Sequence, residues 1–385
     1  MLYAFKEIVI NPEKPVKQAG HIQQVDPISE VHDDLHARIL GLCDNKKFFI
    51  HVSMDLLGIS ISFTRKLKEA LEGFFPGELG LTVSCTHTHY AGDSTNETYY
   101  SQLYSQVLPA IKTLKFTEVP AIYTSFVSTP FEELGCSRIS HHKANVILGL
   151  ISFYDDKKKI GELIYHNVHP TVLSAAETHF FSAEWPGYVL SCLNKQNASE
   201  FHSILVGAAG DISTRFTRDG QNYAALEKLG NKLVAKIEEL RKNPGEKKLL
   251  ALDFDERVVK FEHEFNEINF DEIPDYVSAR ELETIGYGKI MRQRLRDNPE
   301  RLVKEVLISK VSLGACNLVF SPNELFSAYI SYVDQTHSLL VTYSNGYSPY
   351  VTPIDEKLLT YETFTDTLTR ESKQRIIDAI SDFGK

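Results

Sequence analysis

Short runs of β-branched and aromatic residues alternate with amphipathic stretches along the whole chain, and this alternation limits the possible folds most strongly. The apolar runs predict β-strands at 37–42, 47–54, 81–85, 120–127, 144–154, 160–168, 202–206, 250–262, 305–313 and 338–343. Stretches rich in Lys and Glu, with apolar residues at helical spacing, predict helices at 62–75, 98–115, 186–196, 222–242, 275–305 and 363–383. Strands and helices mixed in this way predict an α/β protein.

The chain is long enough for two domains, but its composition does not indicate a boundary between them. Its 385 residues are 43% hydrophobic and 24% charged, which is typical of a globular protein. It contains no Pro-, Ser- or Gly-rich linker, no low-complexity tract and no internal repeat. We therefore predict one domain over 1–385, with the charged helical stretch at 263–304 as an insertion.

Charge and targeting patterns exclude several classes of function. With 41 Lys and Arg against 51 Asp and Glu, the net charge of −10 argues against a general nucleic-acid binder. The five cysteines are scattered without a CxxC pair, so we expect reduced thiols in the core. The N-terminus lacks a signal-peptide pattern, and no run of about 18 apolar residues occurs. These features predict a cytoplasmic chain without stable membrane insertion and do not indicate an oligomeric state.

One candidate metal motif directly follows the predicted strand 81–85. His87 and His89 are separated by one residue, and residues i and i+2 of an extended chain share a face. Both imidazoles can therefore point to one site, and histidine is the commonest metal ligand. On this motif alone, two histidines that merely hydrogen-bond to neighbouring loops remain an equal alternative.

Two further strand ends carry polar residues. His169 is followed by Pro170, which ends the strand and restricts the preceding residue to an extended conformation. Ser213 closes a glycine-containing turn, Gly210-Asp211-Ile212-Ser213, that follows the strand at 202–206. The turn is not a GxSxG nucleophile elbow, and taken alone such a turn is more often structural than catalytic.

The C-terminal part adds oxygen ligands. Glu324 follows the apolar run 316–320, and Tyr347 and Tyr350 follow the predicted strand 338–343. Singly these are weak signals, because Glu often occupies a helix N-terminus and Tyr often packs at surfaces. Combined with two histidines they could complete a metal shell, and nitrogen and carboxylate donors with one position open for water suit catalytic Zn²⁺.

Five motifs stand in the order found in one known family. The sequence resembles the catalytic domain of the neutral/alkaline non-lysosomal ceramidase family in Cys-Thr-His-Thr-His (85–89), His-Pro-Thr (169–171), Gly-Asp-Ile-Ser (210–213), Ser-Pro-Asn-Glu (321–324) and Ser-Asn-Gly-Tyr-Ser-Pro-Tyr (344–350). Weaker similarity to the same family at 31–40, 52–60 and 137–138 extends the resemblance over nearly the whole chain. It implies mixed β-sheets flanked by helices.

The resemblance also implies a set of functional residues and a reaction. The implied zinc ligands are His87, His169, Glu324 and Tyr350. The other implied active-site residues are His89 beside the attacking water, Ser213, Arg138 and the substrate-contacting Tyr361, which stands one residue closer to the zinc tyrosine than in the family. The implied activity is hydrolysis of a carboxamide, with Arg138 or Tyr361 holding the oxyanion and Ser213 orienting water or substrate.

Departures from the family predict a changed substrate. The chain ends one helix after the tyrosine motifs, so we expect a short intracellular relative without the immunoglobulin-like C-terminal domain of the larger enzymes. The family's Ser-Gly-Pro after the second histidine is replaced here by 90–92, and its Pro-Gly-Glu contains Asn323. We therefore expect hydrolysis of a small-molecule amide, with N-acyl lipids and a place in lipid metabolism among the candidates.

Two alternatives stay open at this point. The HxH pair could belong to a barrel-type metal-dependent amidohydrolase, although such barrels usually carry it near the first strand. A non-catalytic member of the same family, in which the metal only ties loops together, would serve as a binding protein.

Some other polar residues have both a functional and a structural interpretation. Asp55 could support a metal histidine or cap the following helix. His141, His142 and Lys143 predict a loop that contacts substrate or solvent, and His166 and His179 flank the predicted site.

Overall fold

The computed structural model describes residues 1–21, 26–139, 144–174, 179–265 and 279–385, apart from the side chains of 279 and 280. Its strands are β1 Leu2–Val9, β2 His36–Asp44, β3 Lys47–Met54, β4 Glu78–Cys85, β5 Thr117–Glu118, β6 Tyr123–Pro130, β7 Cys136–Ser137, β8 Ile147–Tyr154, β9 Lys159–His166, β10 Phe201–Val206, β11 Ile212–Ser213, β12 Lys248–Leu249, β13 Leu252–Lys260, β14 Glu305–Leu313, β15 Asn317–Phe320, β16 Asn323–Leu325, β17 Ser338–Val341 and β18 Ser348–Val351. Its α-helices are α1 Ile61–Leu71, α2 Glu97–Lys112, α3 Glu184–Gln196, α4 Tyr223–Arg241, α5 Ala279–Asp297, α6 Tyr361–Thr365 and α7 Arg370–Phe383.

Two five-stranded mixed sheets form the centre of the molecule. The first has the strand order β4-β3-β2-β1-β5, and the second has the order β10-β9-β8-β6-β12. In each sheet one edge pair is parallel, β3 with β4 and β9 with β10. Strands β3, β8 and β9 are buried on both faces almost throughout, which explains why their sequences are mostly apolar and do not alternate between apolar and polar residues.

Helices and a third sheet cover the two faces of these sheets. Residues of α1, α2, α3 and α4 share one apolar core with one face. The four-stranded sheet β13-β14-β15-β17 and helix α7 share a second core with the other face. This arrangement of mixed sheets flanked by helices confirms the predicted α/β class.

The chain segment after β17 brings separate strand ends together. The Thr342 amide donates to the Val206 carbonyl at 2.7 Å, at the end of β10. The Tyr343 carbonyl accepts from the Cys85 amide at 3.1 Å, at the end of β4. The segment after β17 therefore lies between the ends of β4 and β10. Because polar loops follow the carboxyl ends of parallel strands, the loops after β4, β9, β10, β15 and β17 surround one point.

The structure contains several short strands that the sequence did not predict, namely β5, β7, β11, β12, β16 and β18, and it differs from the predicted elements in three larger respects. Strand β1, which we did not predict, pairs with β2 over its full length, from Leu2 opposite Cys43 to Val9 opposite His36. The helix predicted at 363–383 is interrupted between α6 and α7, where the Asp366 carboxylate accepts from the Thr352 amide at 2.8 Å. Within the predicted insertion, 266–278 lie outside the described residues, and α5 follows them.

Two further properties concern the cysteines and the helices. All five cysteines are free thiols, with Cys43, Cys85 and Cys316 buried. Among the described residues, none of the helices has the length and apolar character needed to cross a membrane.

Candidate metal centre and adjoining cavity

His87 lies directly beyond β4, with its ring buried beneath the segment that follows β17. Its backbone has φ 62°, and its amide donates to the Leu56 carbonyl at 2.9 Å. The ring stacks on Tyr343 with 3.8 Å between ring centroids. The ring nitrogen Nδ1 lies 2.7 Å from the Leu57 carbonyl oxygen, so Nδ1 carries the proton and Nε2 presents a lone pair.

His169 has the same hydrogen-bonding arrangement on the opposite side. Its amide donates to the Ile212 carbonyl at 3.0 Å, which fixes the loop after β9 against the turn after β10. Its Nδ1 lies 2.7 Å from the Ala209 carbonyl oxygen and therefore carries the proton. Metal-binding histidines commonly donate their second ring N–H to a backbone carbonyl in this way, which holds the ring and the tautomer.

The two Nε2 atoms and one oxygen of Glu324 form a buried group of lone pairs. His87 Nε2 and His169 Nε2 are 3.2 Å apart. Glu324 Oε2 lies 3.6 Å from the first and 3.4 Å from the second. This oxygen is buried and has no hydrogen-bond partner in the described part of the chain. Because none of the three atoms carries a proton, they repel one another unless a cation lies between them.

The spacing and chemistry of these atoms fit a zinc ion. Ligands at about 2.0–2.1 Å from a tetrahedral zinc lie about 3.3–3.4 Å from each other. The three measured separations, 3.2 to 3.6 Å, are close to that value. Burial lowers the pKa of His87 to about 3, so its imidazole is neutral, as a metal ligand must be.

Tyr347 holds the other oxygen of Glu324. The Tyr347 hydroxyl donates to Glu324 Oε1, which orients the carboxylate so that Oε2 faces the histidines. Gly58 provides room for the Tyr347 ring, since a Cβ there would lie 2.6 Å from its Cγ. Burial acts to raise the pKa of Glu324, and the hydrogen bond from the Tyr347 hydroxyl acts to lower that pKa and so favours the carboxylate form.

His89 lies on the cavity side of the three lone-pair atoms of His87, His169 and Glu324. Ligand atoms of His87, His89 and His169 all lie within 4.8 Å of one another. The His89 Nδ1 atom is 3.1 Å from the Gly20 carbonyl oxygen, so its buried Nε2 presents a lone pair, without a partner in the described residues. Gly20 has φ 81°, and a Cβ on it would lie 2.6 Å from His89 Nδ1. Glycine at position 20 therefore allows this close approach.

Arg138 links the remaining predicted residues. Its Nη2 donates to the Tyr350 hydroxyl at 2.8 Å and to the Gly210 carbonyl at 2.7 Å, and it lies 2.8 Å from Glu362 Oε1. Its Nε is buried and has no hydrogen-bond partner where the chain is described. The Tyr361 ring packs edge-on to Tyr350 with 6.0 Å between centroids. Glu362 neutralises the guanidinium charge, a role that the sequence did not indicate.

Ser213 and Asp55 lie further from the lone pairs. The Ser213 hydroxyl accepts from the Arg215 amide at 3.3 Å, and its backbone bridges to His169. Asp55 accepts from Arg38 at 2.8 Å and from the Thr86 hydroxyl at 3.3 Å, next to His87. The capping interpretation of Asp55 is wrong, because Ser60 caps α1.

A cavity of about 470 Å³ opens onto this centre. His89, Arg138, Glu324, Tyr347, Tyr350, Tyr361 and Glu362 contribute to its lining. Helix α5 and the segment before α6 supply an apolar wall, with Ile285, Ile290, Met291 and Leu359. Ser213 is not among the lining residues that the structure describes. His166 packs instead on Trp185, at 4.5 Å between rings, while 141–143 lie outside the described residues.

The fold matches solved ceramidases over the whole chain. One structure, a ceramidase complexed with C2, has a TM-score of 0.77 at 15% identity, and the match covers 100% of this chain and 74% of that one. A second, the neutral ceramidase from Pseudomonas aeruginosa, has a TM-score of 0.76 at 16% identity with the same coverage. The chain has the neutral ceramidase fold. No family model and no curated protein matches the sequence.

The ceramidase fold decides between the structural alternatives that the sequence left open. Its open mixed sheets differ from the closed parallel barrel of an amidohydrolase, so the barrel alternative is wrong. Within this fold His87, His169 and Glu324 converge, and His89, Arg138, Tyr350 and Tyr361 surround them. Tyr347, Gly20 and Glu362 are the contributors that sequence reasoning missed or did not assign.

Proposed function

We propose that this chain is a zinc-dependent hydrolase that cleaves a carboxamide with water. The observation that carries the proposal is the group of three proton-free atoms, two imidazole nitrogens and a carboxylate oxygen, at one end of a cavity. His87, His169 and Glu324 would hold the metal, which when bound supplies a water of lowered pKa and polarises a carbonyl group. Tyr350 is the proposed fourth ligand. Burial raises the pKa of its hydroxyl well above the usual value, and Arg138 beside the hydroxyl acts in the opposite direction, toward the phenolate that a bound metal would also favour.

His89 is the proposed general base. Its Nδ1–H is engaged by the Gly20 carbonyl, and its Nε2 lone pair is directed to the same place as the Nε2 atoms of His87 and His169. Burial, together with the neighbouring histidines, lowers the pKa of His89 well below its usual value, so the ring is neutral and can accept a proton from water. The same nitrogen can then return that proton to the departing amine.

Arg138 is the proposed donor to the carbonyl oxygen. Three partners engage its Nη2, whereas its Nε is buried and has no hydrogen-bond partner among the described residues. A fixed donor of this kind stabilises negative charge as the carbonyl carbon becomes tetrahedral. Tyr361 contributes a second hydroxyl to the same wall. Ser213 would act by fixing the loop that carries His169 rather than by attacking the substrate.

The proposed substrate is an N-acyl amide. The apolar wall formed by Ile285, Ile290, Met291 and Leu359 suits an acyl chain, with the carbonyl at the metal end. Both structural neighbours are ceramidases, which makes ceramide-like N-acyl lipids the first compounds to test.

Metal analysis of a small set of variants tests the proposal. The wild type should contain close to one zinc per chain and cleave N-acyl amides in a chelator-sensitive manner. His87→Ala, His169→Ala and Glu324→Ala should each lose metal, since each removes one ligand. His89→Ala should retain zinc and lose about 10²-fold or more in kcat. Unchanged zinc content in all three ligand variants would refute the metal site, and zinc without cleavage would indicate a binding protein.

A further inference from the structure

A second imidazole lines the cavity beside His89 and has no role in the proposed mechanism. His21 is among the lining residues, and its Nε2 atom is buried without a hydrogen-bond partner in the described chain. The rings of His21 and His89 are 6.4 Å apart, centroid to centroid, at an angle of 69°. A buried polar atom without a partner, at the edge of a ligand cavity, indicates that a ligand supplies the partner.

The position of His21 is fixed by the backbone on its N-terminal side. The Ala19 amide donates to the Ala91 carbonyl at 3.0 Å, and the Asp93 amide donates to the Lys17 carbonyl at 2.8 Å. His89 also contacts the 20–21 segment, since the Gly20 carbonyl oxygen lies 3.1 Å from His89 Nδ1 and the His21 ring lies edge-on to the His89 ring. His21 and His89 are therefore held as one unit.

The unpartnered nitrogen of His21 is the candidate acceptor. Nε2 has no hydrogen-bond partner among the described residues, so we assign the ring proton to Nδ1, the tautomer in which Nε2 is free to accept a hydrogen bond. Burial lowers the pKa of His21, which keeps the ring neutral. Nε2 therefore presents a lone pair to the cavity and can bind a hydrogen-bond donor of the substrate.

We propose that His21 Nε2 accepts the N–H of the scissile amide, so that the site selects secondary amides over esters and over amides without that hydrogen. The inference rests on the proposed function and deepens it. A nitrogen hydrogen-bonded to an imidazole lies about 4 Å from the ring centre. Two rings 6.4 Å apart can therefore both contact one nitrogen atom placed between them.

The two histidines then have complementary tasks at the leaving nitrogen. Water adds its oxygen to the carbonyl carbon, and His89 takes one proton from it. As the carbon becomes tetrahedral, the nitrogen becomes pyramidal, and its lone pair, which was delocalised into the carbonyl group, becomes localised on the nitrogen. His89 donates its proton to this lone pair while the carbon–nitrogen bond breaks and its electron pair stays on the nitrogen. His21 Nε2 accepts the hydrogen bond from the original N–H throughout, and His21 neither gains nor loses a proton. The products are one carboxylic acid and one amine.

A matched pair of substrates tests this inference. The pair is an N-acyl secondary amide and the ester in which oxygen replaces the N–H. The quantity measured is the ratio of kcat/KM for the amide to kcat/KM for the ester. The different intrinsic reactivities of the two substrates affect this ratio equally in the wild type and in a variant, so they cancel when the two enzymes are compared. In His21→Phe the ratio of amide to ester should fall about tenfold, because the amide loses its acceptor. His21→Gln, which retains an acceptor oxygen, should recover part of the ratio.

The control is His337→Phe, since this imidazole is 60% exposed and is not among the described residues that line the cavity. It should leave the ratio at the wild-type value. If His21→Phe leaves the ratio unchanged, or lowers amide and ester cleavage equally, the inference is wrong.

A binding measurement separates this inference from the proposed function. Titration calorimetry with the chelator-treated protein compares the same amide and ester without turnover. The wild type should bind the amide about tenfold more tightly, and His21→Phe should remove the difference. If the wild type cleaves neither compound but retains this preference, the hydrolase proposal fails and the role of His21 stands. Equal binding, or no binding of either compound, overturns the inference.

Discussion

His87, Tyr343 and Asn345 have φ values of 62°, 52° and 62°, although none of them is glycine. Such conformations cost free energy and persist where surrounding contacts enforce them. Here the enforcing contacts are visible: the Asn345 amide donates to the Val83 carbonyl at 2.6 Å, and its side-chain oxygen accepts from the Val83 amide at 3.0 Å. Tyr343 stacks on the ring of His87, so two of these three residues lie at the candidate metal site.

Removing the Tyr347 hydroxyl should weaken metal binding. Tyr347→Phe leaves Glu324 Oε1 without its donor, so the carboxylate is no longer fixed toward His87 and His169. Zinc affinity, measured by competition with a chelator, should fall about 10- to 100-fold. Tyr332→Phe, at a side chain 39% exposed, is the control and should have no effect. Wild-type affinity in Tyr347→Phe would contradict this account of Glu324.

A methyl group at position 20 should impair catalysis while sparing the metal. In Gly20→Ala the new Cβ would lie 2.6 Å from His89 Nδ1, so the base must move. We expect kcat to fall about 10²-fold with zinc content unchanged. Gly73→Ala is a matched control, because Gly73 also has positive φ, 68°, but nothing lies within 4 Å of the added atom. Equal losses in both variants would show that backbone strain alone is responsible.

Among the secondary-structure elements, the start of α3 controls the loop that follows β9. Glu184, with φ 58°, accepts from the amides of Val172 at 2.5 Å, Leu173 at 2.7 Å and Trp185 at 2.8 Å. Burial raises the pKa of Glu184 to about 7 despite these bonds. The helix thus holds the loop beginning at His169 through one carboxylate.

Removing the Glu184 carboxylate should destabilise both the start of helix α3 and the candidate metal site at His169. Glu184→Ala leaves three buried amides without an acceptor, which should cost roughly 3–5 kcal/mol in the free energy of unfolding. Urea denaturation measures this loss, and zinc titration should show weaker binding because His169 is no longer held. Glu184→Gln retains one acceptor oxygen and should recover part of the stability. Glu227→Ala, at an exposed carboxylate of α4, should change neither quantity.

For the whole molecule, the buried imidazoles link stability to pH. Burial lowers the pKa of His51 to about 3, that of His166 to about 3 and that of His202 to about 4. In the unfolded chain each returns to about 6.5. At pH values between the folded-state and unfolded-state pKa, the unfolded chain binds more protons than the folded chain. The free energy of unfolding therefore falls as the pH drops below about 6.5.

His51 offers a direct test of this linkage. At pH 5 its contribution to the loss of stability should be roughly 2 kcal/mol, at about 1.4 kcal/mol per pH unit. His51→Leu, at a fully buried site beside Phe49 and Phe320, removes the titrating group. Urea denaturation of chelator-treated protein at pH 7, 6 and 5 should therefore show a shallower pH dependence. His337→Leu should retain the wild-type slope, and an unchanged slope in His51→Leu would refute the linkage.

The sequence by itself determined the order and type of most elements. The strands ending near Cys85, His166 and Val206, and helices α1 to α4, were predicted to within a few residues, whereas α5 ends at Asp297, eight residues before the predicted end at 305. The spacing of apolar residues and the length of apolar runs indicate which side chains are buried in each segment. This pattern lies within the segment itself, so it can be recognised without knowledge of the fold. The positions of His87, His169 and Glu324 at strand ends follow from the same pattern, and the resemblance to the ceramidase family related them to one another.

Only the tertiary structure decided which side chains meet. Tyr347 and Glu324 are 23 residues apart, His89 and Gly20 are 69 apart, and Arg138 and Tyr350 are 212 apart. Such contacts depend on sheet order and on the insertion of the segment after β17 between β4 and β10, and local periodicity encodes neither. β1 was missed for a related reason, because it is only partly buried and its pairing with β2 spans a long separation in sequence. Local patterns fix the elements, and long-range packing selects the neighbours that give each polar side chain its chemistry.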